Sequence, residues 1–210
     1  MAESDAPDRP APPPETYEAI MQATYRAFCK HGYADLTTRE IAEEFEKSRS
    51  LLHYHYDTKQ ELIVALLEYL LESHPAKAAA DEIADPDERL VTFIDRGLFA
   101  PEAAPFDFWE FHTALLELRL HAHRNDAYRE QLDRTIGLIT DLLAETIREG
   151  IETGCFRDVD PEETALFLYD AVDAARIRKI TLGHDDAPRR TKHAIETFVL
   201  PTLRATDDDR

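Results

Sequence analysis

The chain has 210 residues and carries 43 acidic against 24 basic side chains, a formal charge of −19 with a pI near 4.8. A hydrophobic content of 43 % is enough to bury a core, which excludes a disordered acidic chain. Arg supplies 18 of the cations and Lys only six, so hydrated carboxylates with few Lys stems coat a surface suited to a salt-rich, halophilic cytoplasm. Cys29 and Cys155 lie far apart with no metal-type spacing, as expected of a reduced cytoplasmic chain. No stretch approaches the roughly 20 apolar residues of a membrane span, and the start lacks the order of a signal peptide. Taken alone, the net charge argues against a nucleic-acid partner, because phosphate contacts need a basic face.

Residues 1–14 hold five of the twelve prolines and read as a disordered arm, and 205–210 as an acidic tail. Between them apolar residues recur at helical spacing with almost no period-2 alternation, so the fold class is all-α, with about nine helices. Tyr17, Ile20, Met21, Thr24 and Phe28 share one face of a first helix, which Gly32 stops. A second, short helix opens at Thr37, with Glu40 completing a capping-box spacing, and buries Ile41, Ala42 and Phe45. A third opens near Ser48 and lasts about two turns. Thr58 and Glu61 repeat the box before a long fourth helix over 58–73. Further helices are expected over 86–99, 106–123, 126–152, 161–182 and 188–204. Asp85-Pro86 and Asp160-Pro161 pair an N-cap with Pro at the first helical position, and Gly154 and Gly183 act as stops.

The layout over 15–72 is that of a helix-turn-helix module. The run Leu36-Thr37-Thr38-Arg39-Glu40-Ile41-Ala42-Glu43-Glu44-Phe45, followed by Lys47-Ser48-Arg49-Ser50-Leu51-Leu52-His53-Tyr54-His55-Tyr56-Asp57-Thr58-Lys59, closely resembles the N-terminal DNA-binding domain of the TetR family of transcriptional regulators. About 55 residues carry the match. The chemistry agrees with it: a helix entering the major groove needs small and polar residues at its N-terminal end, with a cation and hydrogen-bonding tips. Ser48, Arg49 and Ser50 supply these. His53 lies about one turn on, and Tyr54 close by, in reach of a phosphate or a thymine methyl. Thr37 and Thr38 offer hydroxyls and N–H groups to a phosphate, and the resemblance gives Lys59 the family's phosphate contact. Arg39, Lys47 and His55 complete the candidate DNA-binding set. Leu52 and Tyr56 read as core. Where the family often has Gly in the turn, this chain has Phe45-Glu46-Lys47-Ser48, which implies a strained or altered turn.

Residues 15–62 carry six cations and nine acids, net −3, against −16 for the rest. Four of those cations, Arg39, Lys47, Arg49 and Lys59, fall at or beside the positions where the family faces DNA. A local basic patch thus sits on an acidic body.

In the resemblance, 75–204 is a ligand-binding and dimerisation domain. Ala165, Leu168, Val172 and Ala175, with Ile195, Phe198, Val199 and Leu203 on the last helix, are the expected dimer interface, packing as a four-helix contact across a two-fold axis. The aromatic cluster about Phe106, Trp109 and His112, with Phe93, Tyr128 and Asp173, is the candidate ligand-binding set, read either as pocket lining or as plain core. Asp170, Asp173 and Arg176 are polar on a mostly apolar helix; they pair with each other, cross the dimer, or touch a ligand.

No Glu-x-x-His, His-Glu-x-x-His, glycine-rich phosphate loop or nucleophile elbow is present, so neither a metal site, a cofactor nor catalytic residues are expected. The resemblance implies a cytoplasmic regulator with three partners: a palindromic double-stranded operator, a second copy of itself, and an unidentified small-molecule effector that releases it. The rival classes are a helical adaptor that binds only protein, which needs neither the Ser-Arg-Ser start nor Lys59, and a helical enzyme.

Overall fold

The computed structural model describes residues 11–72, 74–100 and 107–206. Regular structure among them is helical, in chain order α1 (Pro14–Asp35), α2 (Thr38–Glu44), α3 (Arg49–His55), α4 (Lys59–Glu72), α5 (Pro75–Glu82), α6 (Pro86–Leu98), α7 (Phe108–Ala122), α8 (Asp126–Glu152), α9 (Pro161–Leu182) and α10 (Ala187–Ala194). A π-helical turn (Ile195–Val199) joins α10 to α11 (Leu200–Leu203). Its cause is visible at Pro201, which has no N–H to offer the carbonyl four residues back. The Leu200 N–H reaches instead to Ile195, five residues back.

The helix starts follow the capping residues. Side-chain oxygens of Thr37, Ser48, Thr58, Asp85, Asp107, Asn125 and Asp160 each accept from N–H groups in the first turn, at 2.8 to 3.5 Å. These bonds satisfy donors that a helix start otherwise leaves unpaired. Gly32, Gly154 and Gly183 adopt left-handed φ near 70°. Gly32 is a break rather than an end, since helical turns resume to Asp35. Pro14, assigned above to the arm, is the first residue of α1, and residues 1–10 lie outside the described residues. The short α5, an Ala-rich segment without an apolar stripe, has no counterpart in the sequence reading.

Two cores form. The first joins Ile20, Met21, Phe28, Ile41, Phe45, Leu52, Leu62, Ile63 and Leu66 to Ala114, Leu118, Tyr128 and Leu132, so α7 and the start of α8 pack into the same core as the helix-turn-helix. The second gathers Leu90, Ile94, Leu98, Ile147, Phe156, Leu168, Tyr169, Val172, Ile195, Leu200 and Leu203. There the segment after α8 turns back against the chain's end: Arg157 N–H donates to Leu203 and Ala205 N–H to Cys155, while Arg204 grips Asp87 with two bonds of 2.7 Å. Phe156 lies so close over Gly150 that a Cβ there would sit 2.0 Å from its ring.

The second core corrects the expected dimer face. Ala165, Leu168, Val172, Ala175, Ile195 and Leu203 are all buried within the chain's own core. Val199 is half-buried against it, and of the eight only Phe198 stands exposed. The same helices leave Leu166, Phe167, Ile177 and Leu182 exposed instead. Because α9 is apolar on two sides, the α6 and α8 contacts, not the pattern, decide which side turns inward.

Candidate nucleic-acid interface and effector site

Phe45 and Leu52 anchor the α2–α3 turn in the first core, with Ile41 beneath them. Among the described residues no non-Gly position has positive φ, so the expected strain in the turn is absent. Phe45 and Ser48 take ordinary extended conformations. With Leu52 pointing inward, α3 presents Arg49, Ser50 and Tyr54 outward, and His53 partly so. Arg49 Nε donates to His53 Nε2 at 3.4 Å, a one-turn pair that holds the guanidinium along the helix. Among the described residues Arg49 has no carboxylate partner, which leaves its charge available to an anion. Tyr54 is 57 % exposed and lies edge-on to His55, whose Nδ1 is buried without a partner among the described residues.

The remaining candidates differ in availability. Lys47 is exposed, with Nζ 3.3 Å from Thr16 Oγ1, and Arg39 pairs with Glu43 one turn on, both in solvent. Thr38 is half-buried. The Thr37 oxygen accepts from the Arg39 and Glu40 N–H groups, so those two donors are taken. The Thr37 O–H proton is not used in these bonds. Lys59 is held against α1. Its Nζ donates to the Tyr33 carbonyl at 3.0 Å and sits 4.2 Å over the Tyr33 ring, capping the end of α1. Burial lowers its pKa from the ordinary Lys value.

Between α7 and α9 the structure joins His112, Asp173 and Arg176, singled out from the sequence, to two residues the sequence reading missed, Arg119 and Tyr169. Arg119 donates through Nη1 to both oxygens of Asp173 at 2.8–2.9 Å and through Nη2 to Tyr169 Oη at 2.9 Å. Arg176 reaches Asp173 at 3.0 Å and lies 3.5 Å from His112 Nε2. Burial pulls the Arg176 pKa down, Asp173 opposing it. Burial, then the two guanidiniums, hold His112 well below the usual His range. Arg119 had a signal, since it falls seven residues after His112 on one face of α7.

Of the proposed ligand set, His112 and Asp173 belong to this cluster. Trp109 stands beside it with Lys179 Nζ 4.5 Å from its ring, and Lys179 also pairs with Asp185. Tyr128 does not belong: its hydroxyl meets that of Tyr33 at 3.3 Å inside the first core. Phe93 packs on the second core, and Phe106 lies outside the described residues.

His74, between α4 and α5, accepts the Ala76 N–H through Nδ1 at 3.2 Å. Burial, then Lys77 and Arg176, push its pKa down to about 4. The unfolded chain protonates it near 6.5, so stability is full above that pH and falls as pH drops toward 4, by on the order of 3 kcal/mol. His74→Gln is expected to flatten the chemical-denaturation midpoint between pH 6.5 and 4; an unchanged slope contradicts this role.

Among the described residues no group of three or more His, Cys, Asp or Glu is placed to hold a metal, and no helix is long and apolar enough to cross a membrane. Residues 20–66 match the family model described as bacterial regulatory proteins, tetR family. HTH-type transcriptional regulator TtgR of Pseudomonas putida is 41 % identical over 71 residues, a match spanning 34 % of either chain. HTH-type transcriptional regulator BetI of Rhizobium meliloti is 26 % identical over 94 % of each chain. The crystal structure of a TetR transcription regulator from Haloarcula marismortui is 36 % identical, covering 90 % of this chain and 99 % of that one, with a TM-score of 0.79. A helix-turn-helix whose outer face is polar and cationic, joined to a helical body shared over nearly the whole length of that regulator, makes this chain a member of the TetR family of transcriptional regulators.

Proposed function

We propose that the protein is a repressor that binds a palindromic operator as a homodimer and is released by a small-molecule effector. Residues 15–62 form the reading head, α4 links it to the body, and 75–204 hold the effector and dimer surfaces. The observation that carries the reading is the outward face of α3, where Arg49, Ser50, His53 and Tyr54 stand together with no carboxylate partner for Arg49 among the described residues. Two such helices related by a two-fold axis would enter successive major grooves about 34–36 Å apart.

The exposed apolar side chains of α9 and the π turn, Leu166, Phe167, Ile177 and Phe198, are the surface we assign to the dimer. Phe167→Glu with Phe198→Glu is expected to yield a folded monomer by light scattering and to weaken operator binding at least about tenfold, since each half-site then binds alone. A dimer that persists in this variant counts against that face.

Effector release runs through α7 and α4 in this account. One side of α7 holds His112 and Arg119 against α9, while the other touches α1. There Phe111 stacks on Tyr25 with centroids 5.2 Å apart, and Glu117 accepts the Ala34 N–H. A shift of α7 relative to α9 would turn α1 and α4, and with them the spacing of the two reading heads. The acidic body and Lys-poor surface further suggest adaptation to high salt, which screens repulsion between protomers and from phosphate.

A further inference from the structure

The side chains between α7 and α9 do not balance in charge. Arg119, Asp173 and Arg176 are only 23, 19 and 13 % exposed, and one carboxylate faces two guanidiniums. Among the described residues the other groups facing them do not supply the missing negative charge. Tyr169 is held protonated by burial, which raises its pKa. His112 is neutral or cationic by nature, and His74 and Lys77 bring no negative charge. Lys179, nearby, is matched by Asp185 at 2.8 Å. Among the described residues one net positive charge is left in a poorly hydrated place, where an uncompensated ion is costly. The hydrogen bonding is incomplete as well: Arg176 Nε is buried with no partner among the described residues. Beside it is a gap of about 10 Å3, bordered by His112, Leu116, Arg119, Asp173, Arg176 and Ile180. That is room for one water-sized group.

We propose that this gap is a binding site for a small monovalent anion, a free halide or a formate-sized carboxylate, held by Arg176 and Arg119. The inference rests on the reading of the α7–α9 junction as the effector site and names the charge of what enters it. A bare guanidinium N–H and one surplus positive charge select an anion; one unit of charge selects a monoanion; the apolar walls of Leu116 and Ile180 exclude a strongly hydrated dianion. A cationic effector is disfavoured at the same place, because it would add to the surplus. An anion seated there would fix α7 against α9, the contact through which the release mechanism is drawn.

The test replaces gluconate, whose hydroxylated chain is too large for the gap, by chloride, bromide or formate at constant sodium concentration and ionic strength. Thermal unfolding of the full chain is expected to show a saturable rise in Tm with the small anions. Crystals grown in bromide should give an anomalous peak within hydrogen-bonding distance of Arg176 Nε. Halide without formate binding identifies a free ion; binding of both identifies a carboxylate subsite. Arg176→Leu leaves one Arg facing Asp173 and should abolish the rise. Asp173→Asn adds a second surplus charge and should tighten anion binding about tenfold, an outcome that a purely structural role for Asp173 does not produce. No bromide peak, together with Tm values independent of the anion in the wild type and in Asp173→Asn, overturns the site. Operator affinity in the same salts reads the regulatory role separately. A bromide peak with unchanged affinity upholds the anion site and counts against effector release through it.

Discussion

Arg49→Ala with Tyr54→Ala is expected to lower operator affinity by about 100-fold or more, while far-UV circular dichroism, melting temperature and oligomeric state stay at wild-type values. The magnitude follows from about 1–3 kcal/mol for each good base contact, counted at both half-sites of a dimer. The fold is spared because both side chains project from α3 into solvent. The residue that seats the helix is Leu52, which is fully buried. Lys59→Ala should act differently: it removes the bond to the Tyr33 carbonyl and the contact with the Tyr33 ring, so some of its loss appears as destabilisation of the end of α1. An unchanged affinity in the Arg49/Tyr54 double variant would move the reading surface off α3.

The largest effect on stability is expected at Gly150. An added methyl there would sit 2.0 Å from the Phe156 ring, which is buried under the α8 terminus and tied to the chain's end by the Arg157–Leu203 and Ala205–Cys155 bonds. The ring cannot swing out without breaking that pairing. Gly150→Ala should therefore cost about 3 kcal/mol, a fall of about 10 °C in Tm for a chain of this length. It does so although Ala is the better helix former, a preference worth only about 1 kcal/mol. Combined with Phe156→Ala, the loss should be clearly less than the sum of the two single losses, because the same contact is counted in both. Additive losses in calorimetry would mean that the clash is not what limits position 150.

Helix starts were the most legible part of the fold. Asp85-Pro86 and Asp160-Pro161 cap α6 and α9 because a cap is a local matter of a few residues. The left-handed glycines at 154 and 183 are legible for the same reason. The inward Leu52 and outward Arg49 of α3 followed from a motif that prescribes both. What failed in the second half were inferences that needed to know which side of a helix its neighbours cover. On α9, Leu168 and Val172 face α6 and α8, while Leu166 and Phe167 face solvent; the sequence alternates too little to choose. Tyr128, read either as pocket lining or as core, fills the first core beside Tyr33. Arg119 was not singled out from the sequence, because its role depends on α9 bringing Asp173 and Tyr169 onto it. The Lys59 contact joins residues 26 positions apart, which no local pattern reports.

The net charge of −19 takes on a narrower meaning in this light. Counterions screen the acidic body, and the cationic tips near the DNA-facing surface belong to a few residues on α2 and α3. Screening at high salt should then help the dimer and the reading heads approach DNA, although phosphate contacts alone weaken as salt rises.

The most direct test of the account is footprinting of the wild-type protein on the DNA flanking its own gene, in molar potassium gluconate, which supplies ionic strength without a small anion. Two protected half-sites of inverted sequence are expected, centred one turn of the duplex or a multiple of it apart, and lost together in the Arg49/Tyr54 variant. Absence of any protected palindrome there and in the neighbouring promoters, or protection that survives in that variant, would contradict it.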